Sequence, residues 1–407
     1  MNDIINIMPR MLTGEELDKA LKVLPEYEDS IREKSVPERL VALQDIYKIY
    51  VPNNMTREIY TKMYLSLLRS LQKKQTIFAT RQFCENSRMI RSQSYESIIG
   101  GSDSFTIIGE SGIGKSSAVS RAINVLVDAP VIEINNAKVI PCLQVQAPAD
   151  SSIKGLLLEV LRKADEVLGT KYHENALRSH ATTDMLIGAV SQVALNHIGL
   201  MIVDEIQNVV NNKNGKSIVG ALTQLINNSG VSICMVGTPE CTIFYEQAFM
   251  LARRSLGLNY KVMEYSDEFR NFCKIILKYC YVKEPFKVDE AMFLWLYNHS
   301  GGNVSVAVSL AHDAQEIAIL EGTEQFDISS LTKAFDHRMT MLHDYIAPQK
   351  SKSSPPKKKT EKYEVTDNSE SDNISVLEIS LNAKLSGCNI VSELRKSGIK
   401  ILEVAII

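Results

Sequence analysis

The spacing of apolar residues changes twice along the chain, and each change marks a new architecture. Between residues 13 and 70 it is helical, as in LDKALKVL, ERLVALQDIYKIY and MTREIYTKMYLSLLRSL. Thr13 ahead of Glu15 and Glu16 is a candidate helix cap, Pro37 opens a second helix, and Pro52 separates it from a third. From about residue 104, short apolar runs alternate with longer periodic segments. FTIIG, VIPCLQVQ, LMIVDE, VSICMVGT and NYKVMEY read as five buried strands. Helices are predicted at 115–126, 152–168, 183–197, 216–228 and 239–252. This alternation predicts an α/β domain with a mainly parallel, five-stranded sheet. Residues 266–345 return to helical spacing and predict an all-helical module.

Five parts follow: a helical N-terminal lead (1–70), the α/β core (71–265), the helical lid (266–345), a linker (346–373) and a C-terminal element (374–407). The stretch QKSKSSPPKKKTEKYEVTDNSESDN is too poor in apolar residues to fold alone and reads as a flexible tether. Apolar content recovers after it, which suits a small partner-docking element.

No apolar run is long enough to span a bilayer, and MNDIINIMPRML lacks the layout of a secretory signal. The expectation is a cytoplasmic protein without a membrane partner. Seven scattered cysteines, with no CxxC pair, suit reduced thiols packed as small apolar groups. A net charge of -3 excludes a wholly basic surface, yet leaves room for a local basic groove.

Candidate chemistry concentrates at the strand ends. GESGIGKSS at 109–117 satisfies GxxxxGK[ST], directly after a strand and directly before a helix. Gly109, Gly112 and Gly114 let the backbone wrap closely, and the N–H groups of the loop and helix start face an anion. Lys115 is placed to neutralise the β- and γ-phosphates, with Ser116 on magnesium and Ser117 beside it in the loop. In LMIVDEIQN, Leu200 to Val203 carry Asp204 and Glu205 to the C-terminal edge of a buried strand. Asp204 suits a magnesium ligand and Glu205 the base that polarises an attacking water. Thr238, ending VSICMVGT, either reaches the γ-phosphate or caps the helix at Pro239. Arg253 and Arg254 either complete the site of a neighbouring subunit or simply suit a helix C-terminus. ATP and Mg²⁺ are the expected ligands.

Taken together, GESGIGKSS, IVDEIQN (202–208), VGTPE (236–240), ARRSLG (252–257) and the lead IYKIYVPNNMTREIY (46–60) resemble an AAA+ ATPase. Within that class they look like the TnsC/TniB family of transposition regulators, over roughly residues 36–345. The resemblance implies an AAA+ P-loop fold and a homo-oligomer, ring or helical filament, around double-stranded DNA. It also implies partners: transposase subunits and a target-selection protein. By the same likeness Glu205 is the hydrolytic base, and Arg253 or Arg254 the finger acting in trans. Lys154, Thr170 and Lys171 match positions that touch the DNA backbone, although a lone surface lysine also reads as a solvated side chain.

One turn departs from the pattern. Where many AAA+ lids present an arginine, SGGNVSVAV offers Asn303 and Val304. Either the lid senses nucleotide more weakly, or hydrolysis is slow and regulatory. Two alternatives stand beside this reading: an AAA+ initiator or loader acting on DNA, and a signalling NTPase that switches a protein interface. An initiator normally carries a DNA-reading helix-turn-helix, and the C-terminal segment holds no convincing one.

Overall fold

The computed structural model describes residues 8–86, 104–134, 137–149, 152–210, 215–241, 256–284 and 288–340. Contacts divide the chain into Met1–Gln349 and Lys350–Ile407, and every described residue belongs to the first unit. Arg253, Arg254, the linker, the C-terminal element and nearly all of the helix expected at 239–252 lie outside the described residues.

Six strands form one sheet: β1 (Phe105–Gly109), β2 (Ile132–Ile134), β3 (Ala137–Gln146), β4 (Ile198–Asp204), β5 (Ser232–Gly237) and β6 (Leu256–Tyr260). Their spatial order is β2-β3-β4-β5-β1-β6. All neighbours run parallel except β2, which pairs antiparallel with β3. The expected sheet therefore gains a strand. At three residues β2 is too short to show a period of its own.

The last expected strand, 259–265, forms earlier, at Leu256–Tyr260. It pairs with β1 from Phe105↔Leu256 to Gly109↔Tyr260, and pairing stops where β1 turns into the glycine-rich loop.

β1, β4 and β5 are buried at every position, as strands covered on both faces must be. Alternate residues serve opposite cores. Leu200, Ile202, Cys234 and Val236 pack with Ile59, Leu67 and Val119 on one face. Met201, Val203, Ile233 and Met235 pack with Leu157, Val190 and Leu222 on the other. The first face is covered by α1 (Gly14–Leu21), α3 (Asn54–Asn86) and α4 (Lys115–Leu126). The second is covered by α5 (Ile153–Leu168), α7 (Thr183–His197) and α9 (Gly215–Ser229), each within two residues of its expected bounds.

Two short helices were not expected: α6 (Tyr172–Arg178) and α8 (Gln207–Val210). Asp165 anchors α6 by accepting the N–H groups of Tyr172 and His173.

The lid consists of α10 (Asp267–Leu277), α11 (Glu290–Ser300), α12 (Val304–Glu321) and α13 (Ile328–Arg338). Ser266, Asp289, Asn303 and Asp327 each accept backbone N–H groups at the respective helix starts. The N-terminal lead divides between the two cores. Leu17 and Leu21 of α1 pack under the sheet, whereas Leu43 and Ile46 are buried in the lid with Phe269 and Leu310. Leu43 closes α2 (Val36–Leu43), whose entry Ser35 and Glu38 form a capping box. Thr13 does stand at the cap of α1, but its side chain makes no capping hydrogen bond. Among the described residues, no helix is long and apolar enough to cross a membrane. Cys142, Cys234, Cys241, Cys273 and Cys280 are free, and burial pushes the thiols of Cys142 and Cys273 up to about 12.

Candidate nucleotide site

Register decides where the chemistry meets. Ile108 of β1 lies beside Gly237 of β5, and Val203 of β4 beside Met235. The C-terminal ends of three adjacent parallel strands are thus level, and each delivers one polar segment to a common cavity of about 230 Å³. From β1 come Gly112, Gly114, Lys115, Ser116 and Ser117. From β4 come Asp204 and Glu205, and from β5 Thr238. Of the sequence-predicted phosphate, metal and hydrolysis residues, all but Gly109 and the arginines at 253 and 254, which lie outside the described residues, line one space.

The loop can close this tightly because of its glycines. A Cβ on Gly109 would lie 2.5 Å from Ile113 Cδ1 and 2.8 Å from the Tyr260 carbonyl oxygen. Gly109 therefore shapes the loop from behind rather than lining it. Gly112 holds left-handed backbone at φ 81°, where a side chain is disfavoured. A Cβ there would also sit 2.6 Å from Asn303 Oδ1.

Lys115 is nearly buried, and Nζ donates to the carbonyl oxygens of Gly109 and Glu110, both at 2.7 Å. Burial pulls its ammonium below the usual lysine range, and the charges of Glu205 and Asp204 oppose that pull. The cation is thus held in the loop, where phosphate oxygens compete with carbonyls for it.

Asp204 is buried, and its Oδ1 accepts the Glu205 N–H at 2.9 Å. Glu205 adopts φ 56°, a left-handed conformation that disfavours any Cβ by roughly 1–2 kcal/mol. Such local strain at a cavity wall is characteristic of functional positions. The Ala147 N–H donates to Asp204 O and the Ile206 N–H to Val236 O, so both neighbouring strands over-determine the turn.

Thr238 Oγ1 is buried and, among the described residues, has no oxygen or nitrogen hydrogen-bond partner. Its carbonyl, not its side chain, takes the Cys241 N–H at the following turn. An orphaned hydroxyl on a polar cavity suits a ligand oxygen better than a cap. Ser116 and Asp204 offer only oxygen donors, the set that suits a magnesium ion arriving with phosphate.

Two parts of the site escaped the sequence reading. The lid reaches the phosphate loop through Asn303, whose Nδ2 donates to Ser111 O at 2.8 Å. The Ser305 N–H also donates to Gly112 O at 3.1 Å, and Ser305 lines the cavity. The residue standing where an arginine was expected therefore fastens the lid to the loop directly. Asn303→Ala removes both this contact and the α12 cap, and is expected to destabilise by about 1 kcal/mol. Asn303→Asp keeps the cap and loses only the Nδ2 donor, so comparing the two melting temperatures separates the roles.

The second part is a mostly apolar pocket of about 60 Å³ that shares Gly114 with the phosphate cavity. Tyr50, Val51 and Pro52 from the lead meet Met263, Phe272 and Val308 from the lid side. An apolar slot beside a phosphate cradle has the lining chemistry of a nucleobase subsite, in less volume than a whole purine fills. Only the break at Pro52 hinted at it, because the walls come from segments about 200 residues apart.

The expected DNA contacts are not gathered in one place. Lys154 is exposed on the first turn of α5, whereas Thr170 and Lys171 follow its far end, about 24 Å along a 16-residue helix. Thr170 Oγ1 donates to Asp165 Oδ1 at 2.6 Å, and Lys171 Nζ lies 4.0 Å from Glu174.

Residues 99–242 match an AAA domain. With its phosphate loop, mostly parallel sheet and helical lid, the chain has an AAA+ P-loop fold. AAA domains as a class bind and hydrolyse nucleotide. No curated protein matches the chain.

Among solved structures, Drosophila ORC bound to DNA is 13% identical, with 97% of this chain and 85% of that chain covered and a TM-score of 0.47. The Aeropyrum pernix ORC1 protein in complex with DNA is 14% identical, covering 58% and 60%, with a TM-score of 0.43. The Aeropyrum pernix ORC2 protein in its ADP form is 16% identical, covering 72% and 70%, with a TM-score of 0.42. The chain thus spans about 60% of the length of the ORC1 protein it resembles.

Proposed function

We propose that the chain is an ATP-dependent, DNA-binding AAA+ regulator of DNA transposition. It assembles on target DNA and links a target-selection protein to the transposase. The ATPase part rests on one observation: Lys115, Ser116, Asp204, Glu205 and Thr238 line a single cavity beside an apolar slot. ATP places its base in the slot and its phosphates over the loop. Lys115 holds the β- and γ-phosphates, Ser116 and Asp204 hold magnesium, and Thr238 orients the γ-phosphate. Bound magnesium neutralises charge developing on the phosphate oxygens. Glu205 takes the proton from the attacking water.

The transposition part is supported by the motif likeness of DEIQN, GTPE and the Arg253–Arg254 pair. One of those arginines completes a neighbouring subunit's site, so that ATP holds subunits together until hydrolysis releases them. Lys154, Thr170 and Lys171 contact the DNA backbone, making the binding salt-dependent and indifferent to sequence.

Electron microscopy with duplex DNA and a non-hydrolysable ATP analogue is expected to reveal nucleotide-dependent rings or filaments. Their absence overturns the reading. In the Lys154→Ala, Lys171→Ala double variant, nucleotide affinity is expected to stay while DNA affinity falls. Each phosphate contact removed lowers the salt slope by about 0.9. Retained DNA affinity moves the groove elsewhere. An assembly that binds DNA yet ignores transposase subunits favours an initiator or loader, and absence of DNA binding favours a signalling switch.

A further inference from the structure

Gln207 stands two residues beyond Glu205, on the wall of the phosphate cavity, and its side chain joins two strand ends. Its Nε2 donates to Glu205 Oε2, and its Oε1 accepts the Thr238 N–H at 3.3 Å. The Ile206 N–H, between the two side chains, donates to Val236 O at 3.0 Å. Backbone and side chain therefore fasten the Glu205 turn to the end of β5, the strand that carries Thr238.

Only a side chain with both a donor and an acceptor can bridge a carboxylate and an N–H in this way, and a primary amide is such a group. A carboxylate at 207 would repel Glu205, and an apolar chain would leave both partners unmet.

We infer that Gln207 is a positioning residue for ATP hydrolysis. It holds one carboxylate oxygen of Glu205, so that the other faces the attacking water, and it ties that orientation to Thr238. In the step it serves, a water O–H bond breaks and its proton passes to Glu205. The water oxygen bonds to the γ-phosphorus as the bond to the β–γ bridging oxygen breaks, and that electron pair leaves with ADP. The inference rests on the reading of Glu205 as the base.

The test is steady-state ATP turnover of the full chain with duplex DNA, for wild type, Glu205→Gln, Gln207→Met and Gln207→Glu. Gln207→Met preserves volume and removes both hydrogen bonds. It is expected to lower kcat about 10- to 100-fold, the usual penalty for a misplaced reacting group, with KM near wild type. Affinity for a non-hydrolysable ATP analogue, read by titration, is expected to stay at the wild-type value, so that the loss falls on kcat alone. Gln207→Glu loses the Nε2 donor and sets a like charge beside Glu205, and is expected to lower kcat at least as far.

A merely structural role would weaken nucleotide binding and raise KM along with the fall in kcat, and that result overturns the inference. So does a Gln207→Met variant with wild-type kcat. If wild type turns over no faster than Glu205→Gln, the assignment of Glu205 as base fails instead, and the role of Gln207 falls with it.

Discussion

Glu205→Gln is expected to bind nucleotide as wild type does and to turn it over at least ~10²-fold more slowly, the usual worth of a positioned general base. The substitution is nearly isosteric, so Lys115, Ser116 and the apolar slot keep their places and binding is spared. What disappears is the acceptor for the water's proton. Asp204 does not substitute, because its Oδ1 accepts the Glu205 N–H and its carboxylate is the proposed magnesium ligand.

The strained backbone at Glu205, φ 56°, is consistent with a residue held where chemistry needs it rather than where folding prefers it. Phosphate release gives the rate, and fluorescent-nucleotide titration gives the affinity. Turnover close to wild type would move the base elsewhere. If ATP holds the assembly together, the same variant also dissociates from duplex DNA more slowly than wild type, which a filter-binding chase measures.

Most of this cavity wall was legible in the sequence, for a physical reason. A strand buried on both faces must be continuously apolar, so the residue that ends the run is necessarily at the sheet edge. Leu200 to Val203 announced Asp204 and Glu205 in that way, and Ser232 to Gly237 announced Thr238. Glycine spacing announced the loop. Helical periodicity in the lead was equally clear, but it specifies only that a face is apolar, not which partner covers it. Leu21 and Leu43 carry the same local signal, yet one lies under the sheet and the other in the lid. The apolar slot at Tyr50–Pro52 was hidden for the same reason, since it exists only where the two cores abut. Gln207 was legible only as part of DEIQN, and Asn303 only as the residue in an arginine's place, because the Thr238 N–H and the Ser111 carbonyl they reach belong to other elements.

Arg39 is the position where the hydropathy pattern misleads most, and it carries the second large effect. It is a charged residue on α2, yet it is 1% exposed. Its Nη1 and Nη2 donate to the two carboxylate oxygens of Glu324, both at 2.6 Å, and Nη1 also donates to Tyr281 O at 3.0 Å. This fork ties α2 of the lead to the turn between α12 and α13, so the lead is part of the lid's structure.

Arg39→Met fills much of the volume but leaves the Glu324 carboxylate, itself only 17% exposed, without its cation. Breaking one side of a buried pair costs about 3–5 kcal/mol, and replacing both partners recovers much of it. Arg39→Met is therefore expected to lower the denaturation midpoint sharply, with Arg39→Met, Glu324→Leu lying closer to wild type.

The pH dependence follows from Glu324. The Arg39 hydrogen bonds hold its carboxyl below the usual carboxylate range. Its contribution to wild-type stability is complete above the unfolded value of about 4.3 and is lost as pH falls through the lower folded value. In Arg39→Met the unpaired carboxylate prefers its neutral form, so acid relieves the variant while it weakens wild type. Denaturation midpoints should therefore converge as pH is lowered from 7 through about 4.3 and below it, and a gap that stays constant over that range would show that the pair is not the source of the loss.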